Sequence, residues 1–423
     1  MKPTKIAYLA PEIPSVSGTF VFREMGALEA NAGVTVLPYT LRSISAAAVA
    51  SDGRNFLGRT GVVYGSPVQM LQGMLAFALR HPLRTLATAA QALGDAVRVD
   101  AGRRWKIVPK LAAALWLARE LEVHGAEHLH VHFAHAPATV GMYAARAARI
   151  PFSVTAHAND IYVNPELLQE KIERARPFVT ISEANRTHLR GRFGAIADRI
   201  KIVRCGVDST LFQPRIERAR RDTVFAVGRL VAKKGLDLLV ESMALLPSRT
   251  RCVIAGDGPE RTELERRSEE LGLGDRIQFL GAIPTGQIRE WMARADVFAL
   301  PCRRARDGDI DGIPVVLMEA MASGLPVVSV GVSGVPELVL DGRTGLLARE
   351  GDSRSLADAI QRLMDHPDEA RGLAKEAYAH VTAHFDQREN ALRLLELVHR
   401  ETASHGSSQT ESLGSAGVTP QPS

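Results

Sequence analysis

From Asp309 to Glu337 the chain reads DIDGIPVVLMEAMASGLPVVSVGVSGVPE, an order of residues that admits few backbones. Pro314 fits the first turn of a helix, where its missing N–H costs nothing. Val315 to Ser323, rich in Leu, Met, Ala and Glu, predicts a short helix. Gly324 supplies its left-handed cap, and Pro326 stops it from continuing. Val327 to Val330 is an apolar β-branched run, of the kind buried on both faces of a parallel sheet. Loop, short helix and buried strand form one unit of an α/β sheet.

The same unit recurs. Ile6 to Leu9 predicts a buried strand; a helical run closes at Gly33, and Val34 to Leu37 predicts the next strand. Phe152 to Thr155 and Val224 to Val227 read the same way. Strand–helix alternation in both halves, with a boundary near residue 210, predicts two facing doubly wound, Rossmann-like domains with a cleft between them. Residues 43–123 form a helical block within the first domain, 1–210. The second domain covers 211–385, and a helix over 386–401 follows. Residues 402–423, rich in Ser, Gly, Thr and Pro, read as a disordered tail.

At 423 residues with 46% hydrophobic and 23% charged side chains, the chain has the balance of an ordinary globular protein. An excess of five positive charges does not point to nucleic acid. Cys205, Cys252 and Cys302 stand far apart, which disfavours a disulfide framework or zinc ribbon and favours a cytoplasmic setting. The apolar run before Pro11 is too short for a signal peptide, and no segment has the length to span a bilayer. Between Arg80 and Lys110 seven Lys/Arg face only Asp95 and Asp100. That block faces either an anionic membrane, at its inner face, or a lipid-linked acceptor, or else presents a solvated helical surface over an apolar core.

The candidate chemistry lies at strand ends. Gly312 and Ile313 lead into the positive end of a helix, which suits a phosphate. Asp311 and Glu319 reach the same ligand from two heights and suit sugar or ribose hydroxyls; a helix-start acid and a surface glutamate is the competing reading. Arg229 and Lys234, in GRLVAKKG, make a diphosphate clamp or else cap a turn. Gly256 permits a tight turn at the binding edge, and Gly18 lies where a helix start lets a ligand approach. His157 stands just past the end of a strand, a position for binding or catalysis. His128, His130 and His132 alternate on one strand face; no cysteine completes a ligand set, and we expect core histidines and no metal. His132 and His135 fall at the acceptor side of the cleft. Asp160 serves either an acceptor hydroxyl or a loop cap.

DGIPVVLMEAMASGLPVVSVGVSGVPELV resembles the donor-site signature of the retaining GT-B glycosyltransferases of family 4, with Asp311 where the family has the first of two glutamates eight apart. The resemblance implies a GT-B fold whose last helix crosses back to the first domain. It implies a retaining hexosyltransferase that uses a nucleoside-diphosphate sugar without a cofactor or an Asp-x-Asp metal. On matching positions it implies that Arg229 and Lys234 hold the donor diphosphate, with Lys233 as an adjacent spare. It also implies that His157 lies beside the reacting carbon, and that Ile283 contacts the base through its backbone. HFAHAPAT and TAHANDIY look most like bacterial enzymes that extend exopolysaccharide or lipopolysaccharide, so the expected acceptor is a glycan or lipid-linked saccharide. Two alternatives remain: a non-transferring enzyme such as a nucleotide-sugar epimerase, and an inert sugar-nucleotide scaffold, which Asp311 keeps open.

Overall fold

A computed structural model describes residues 5–15, 18–44, 51–163, 165–214 and 221–414. Ser17, most of the basic linker run and residues 415–423 of the expected tail lie outside the described residues.

The first sheet is built from β1 (Lys5–Ala10), β2 (Thr35–Thr40), β3 (Gly61–Val62), β4 (His128–His132), β5 (Phe152–Ala156), β6 (Phe178–Thr180) and β7 (Lys201–Ile202). Their order is β3-β2-β1-β4-β5-β6-β7, and every pairing is parallel. The second sheet holds β8 (Thr223–Val227), β9 (Arg251–Ala255), β10 (Ile277–Gly281), β11 (Val297–Leu300), β12 (Val327–Val330) and β13 (Leu346–Ala348). It is also wholly parallel, in the order β10-β9-β8-β11-β12-β13. Strands β4, β5, β8, β11 and β12 are buried along their whole length. The apolar runs of β8 and β11 are what a sheet covered on both faces requires, while β4 and β5 carry hydrogen-bonded His, Ser and Thr among their apolar residues. The order reverses between β1 and β4, and again between β8 and β11. Those switch points open a crevice at the strands' C-terminal ends, and the loops after β4, β8 and β11 border it.

Two glycines hold the crevice edges in place. Gly256 has φ +121°, and a Cβ there would fall 1.9 Å from the carbonyl oxygen of Gly228, so the loops after β8 and β9 cross too closely for a side chain. At Gly312 a Cβ would fall 2.7 Å from Cδ1 of Ile181, and so the loop after β11 presses directly on the first domain. The helix Val315–Ala322 follows, with Pro314 as its N-cap rather than in its first turn and Gly324 left-handed beyond it.

The last helix, Gln387–Gly414, lies on the first sheet's side of the molecule: Ala391 and Leu395 join the core of Ile6, Tyr8 and Phe22, while Leu394 and Val398 pack with Val179 and Val203. It runs past residue 401, which corrects the expectation that the tail leaves helical structure at residue 402. Ser, Thr and Gly weaken a helix without forbidding it, and the first proline beyond Gln387 is Pro420.

Candidate active site

β4 leads into a loop that the fold holds against strain. Phe133 has φ +73°, a left-handed conformation costly for an aromatic residue. The next peptide is gripped at both ends. The Ala134 N–H donates to the Asp160 carboxylate, and the Ala134 carbonyl accepts from Lys171 Nζ at 2.7 Å. Lys171 also donates to the carbonyls of His135 at 3.0 Å and Glu166 at 2.5 Å. Its three ammonium hydrogens match three carbonyls, although burial pulls its pKa down to about 7. Asp160 is fully buried, and its oxygens also accept the His157 N–H at 2.8 and 3.1 Å. The structure therefore gives Asp160 the loop-capping role, not the acceptor hydroxyl.

Burial pushes the Asp160 carboxyl up to about 7 against the pull of those amides. Its folded value lies above an unfolded value of about 3.9, so the fold takes up a proton between about pH 4 and pH 7. The Asp160 contribution to stability consequently falls as pH rises through that window. The melting temperature of the Asp160→Asn variant should fall less between pH 5 and pH 7 than that of the wild type, by about 3 °C or more. Parallel profiles in a thermal-shift series would contradict this.

His157 caps the short helix Ala158–Tyr162, and its ring accepts the Asp160 N–H. Its Nε2 lies 3.2 Å from His132 Nδ1, and His132 Nε2 lies 3.1 Å from Glu24 Oε1. Tyr8 donates its hydroxyl to the same Glu24 oxygen at 2.8 Å. These partners assign the tautomers. With one His157 nitrogen accepting from Asp160, Nε2 carries the hydrogen and donates to His132, which in turn donates to Glu24. Burial first, then the rings of His132 and His135, hold His157 well below the usual imidazole range, so it is neutral. Phe20 and Phe133 lie over it at 4.7 and 4.5 Å.

His128 and His130 both meet the Ser153 hydroxyl on β5 at 2.7 Å, and His130 meets Thr155 at 3.2 Å. An interior strand has its backbone groups committed to the ladder, so side-chain hydroxyls serve instead. Among the described residues Glu24, His130 and His132 are the trio whose ligand atoms converge as a metal would need, within 4.8 Å of one another. In this structure hydrogen bonds already occupy those atoms. His135 is half-buried against Phe133, with burial holding its pKa down at about 4 and its Nδ1 without a hydrogen-bond partner.

Across the crevice, Lys234 ends the short turn Ala232–Lys234, and its side chain lies over Gly228 at the end of β8. Its Nζ pairs with Asp311 Oδ2 at 2.7 Å, while Lys233 bridges Asp309 at 3.1 Å and Asp311 at 3.4 Å. Burial opposes both charges, but the two ammonium groups hold Asp311 below the usual carboxylate range, and Asp311 in turn raises Lys234. Arg229 is exposed at the end of β8, and Gly256 donates its N–H to the Gly281 carbonyl at 2.7 Å. Ile283 is half-buried just past β10. Ile313 is buried beneath Gly334. Gly18 is the N-cap of the helix Thr19–Ala32 at φ −119°, where an added Cβ would meet only Ser15 at 3.8 Å, so the fold itself does not demand a glycine.

The two sides meet at several points. Glu319 pairs with Arg23 at 2.9 Å, both side chains 7% exposed. Asn159 donates to Asp309 at 3.2 Å. Glu337 accepts the Ala184 N–H, at the start of the helix Glu183–Phe193, at 3.1 Å and pairs with Arg204 at 2.8 Å. These contacts form a chain of neighbours: Lys234 pairs with Asp311, Gly312 lies beside Ala158, His157 meets His132, His132 meets Glu24, and Arg23, next to Glu24 on one helix, pairs with Glu319. Sequence reading missed Arg23, Glu24, Tyr8, Lys171, Arg204 and the bridging role of Glu337. Of these only Arg23, a cation directly after the apolar run Phe20–Phe22, carried a local signal.

Residues 208–380 match the family model for glycosyl transferases group 1, and residues 74–211 match that for glycosyltransferase family 4. The amylovoran biosynthesis glycosyltransferase of Erwinia amylovora is 35% identical over 212 residues, covering 49% of this chain and 52% of the relative. A putative colanic acid biosynthesis glycosyltransferase of Escherichia coli is 36% identical over 219 residues, covering 50% and 52%. The chain thus spans about half the length of the curated relatives it matches. The HepE protein of Anabaena, solved in complex with UDP, superposes with a TM-score of 0.70 over 94% of this chain and 100% of its own, at 20% identity, which shows the fold.

Proposed function

We propose that this chain, which belongs to glycosyltransferase family 4 and has the GT-B fold, moves a sugar from a nucleoside-diphosphate sugar to a hydroxyl of a glycan or lipid-linked acceptor, with retention at the anomeric carbon. The observation that carries the reading is the run of neighbours that brings the cations after β8 and the imidazole after β5 to one crevice. In the proposed reaction the donor diphosphate takes the place of Asp311 on Lys234, with Arg229 and the start of the helix Val315–Ala322 completing its counter-charge. Gly256, Ile283 and Glu319 border the nucleoside, and Gly18 leaves room for the diphosphate. Departure of the diphosphate breaks the anomeric C–O bond and builds negative charge on its β-phosphate oxygen, which these groups stabilise. The acceptor oxygen bonds to the same face of that carbon, and its proton passes to the departing phosphate oxygen, so no separate base is required. His157, held neutral and fixed in orientation by His132 and Glu24, supports the sugar; Asp311, once displaced, faces its hydroxyls. His132 and His135 border the acceptor side. The reaction needs no cofactor and no metal.

Relatives in amylovoran and colanic acid biosynthesis support an acceptor in exopolysaccharide assembly, and UDP in HepE supports a nucleoside diphosphate. No helix among the described residues is long and apolar enough to cross a membrane. We place the protein in the cytoplasm, peripheral to the inner face of the membrane. Incubation with a panel of UDP- and GDP-sugars tests the reading. One donor should be hydrolysed slowly with release of its nucleoside diphosphate. Absence of hydrolysis with every donor would favour an inert scaffold, and conversion of the donor to an epimer would favour the non-transferring enzyme.

A further inference from the structure

Among the described residues, twelve of the fourteen large apolar side chains that stand exposed fall between Leu57 and Val108. They are ordered. On the helix Pro67–Arg80 the exposed Val68, Leu71, Leu75 and Leu79 follow one another at helical spacing and form one stripe. At about 100° per residue this stripe lies opposite Gly73 and Phe77, the two residues that the helix buries. The helix Pro82–Ala96 repeats the arrangement: exposed Leu83, Leu86 and Leu93, continued by Val97, lie opposite buried Thr88, Ala92 and Asp95. Leu79 and Leu83, on either side of the joint at His81, are 83% and 79% exposed. Both helices thus turn an apolar stripe away from the protein, while the face toward it carries Gly73 and Phe77 on the first and Thr88, Ala92 and the paired Asp95 on the second.

Charge identifies the occupant. The segment from Leu57 to Val108 has seven Arg/Lys and two acids. One of the acids, Asp95, is buried and paired with Arg174. Arg80 is exposed at the end of the helix Pro67–Arg80. Arg103, Arg104 and Lys106 are exposed just beyond the helix Pro82–Ala96, where Arg104 donates to the carbonyls of Val97 and Val99 at 3.3 and 3.2 Å. The Lys106 ammonium lies 5.8 Å from the ring of Trp105, itself 66% exposed. Leucine stripes bordered by cations, with an indole among them, match the three layers of an anionic lipid surface: acyl chains, interface and phosphates.

We propose that the paired helices Pro67–Arg80 and Pro82–Ala96 lie in the plane of an anionic membrane, with both stripes in its acyl layer and Arg80, Arg103, Arg104 and Lys106 on lipid phosphates. This names the membrane-side partner of the acceptor domain and rests on the proposed function only for its biological use. Both helices pack on Ile107–His124, which packs on Ala136–Ala148, directly after the His132–His135 loop. The proposed bilayer face and the acceptor edge of the crevice thus belong to one stack of packed helices.

Flotation of the full chain with vesicles of phosphatidylethanolamine and phosphatidylglycerol, against vesicles of phosphatidylcholine alone, tests it without any sugar. Wild type should float with the anionic vesicles at low salt. The triple variant Leu75→Asp, Leu79→Asp, Leu83→Asp should partition at least about tenfold less, and Arg103→Glu with Lys106→Glu should weaken binding and flatten its salt dependence. Donor hydrolysis should match wild type in both variants. That readout shows that the exposed substitutions leave the fold intact and separates failure of this proposal from failure of the catalytic reading. Wild type that stays in the aqueous fraction with anionic vesicles, or leucine variants that float as well as wild type, would overturn the proposal. A wild-type dimer that the leucine variant dissolves would assign the face to a second copy and also overturn it.

Discussion

Replacing Lys234 by methionine should lower the rate of sugar transfer by about 10²–10³-fold, the usual cost of removing one preorganised group that stabilises developing negative charge. The same substitution takes from the half-buried Asp311 its nearest cation, 2.7 Å away, so some stability should go with it. A second variant separates the two effects. Lys234→Met combined with Asp311→Asn removes both charges and should recover stability without recovering rate. Asp311→Asn alone releases Lys234 and should tighten binding of a free nucleoside diphosphate while lowering turnover of the donor sugar. If calorimetry shows weaker diphosphate binding by the Asp311→Asn variant, Asp311 does not compete for Lys234, and the exchange proposed for donor binding is wrong.

Arg23→Met should destabilise the protein by about 3 kcal/mol, because it removes one partner of a buried ion pair and leaves the other's charge in place. The pair joins the first helix of the chain to the helix Val315–Ala322, so the loss falls on one of the contacts that hold the two domains together. Arg23→Lys retains the charge but not the planar fork and should lose less. Arg23→Met with Glu319→Gln should recover part of the loss. Chemical denaturation of the four proteins checks the order, and an Arg23→Met variant as stable as wild type would show that the pair is not a structural tie.

The local signals in this sequence were those of short range. Pro314, Gly324 and Pro326 bound a helix whose ends need only neighbouring residues, and the β-branched run of Val327 to Val330 needs only burial. Glu319 stood out because it interrupts an apolar helix, yet its partner Arg23 lies 296 positions away, a distance over which no periodicity carries information. The tie from His132 to Glu24 spans 108 positions and was hidden for the same reason. Lys171 in LQEKIER looks like any charge on a helix; only the fold brings three carbonyls around its ammonium. The helices of residues 67–96 were legible as helices, but their sidedness was not. A stripe at helical spacing normally points to the core, and here Gly73, Phe77, Thr88, Ala92 and Asp95 face inward instead.

The most direct test of the central claim is a crystal structure with whichever of UDP, GDP or ADP most raises the melting temperature. A β-phosphate oxygen should lie about 3 Å from Lys234 Nζ and within reach of Arg229, with Asp311 moved off that lysine and the phosphate's open side facing His157. A diphosphate seated on another surface, with Lys234 still paired to Asp311, would contradict it.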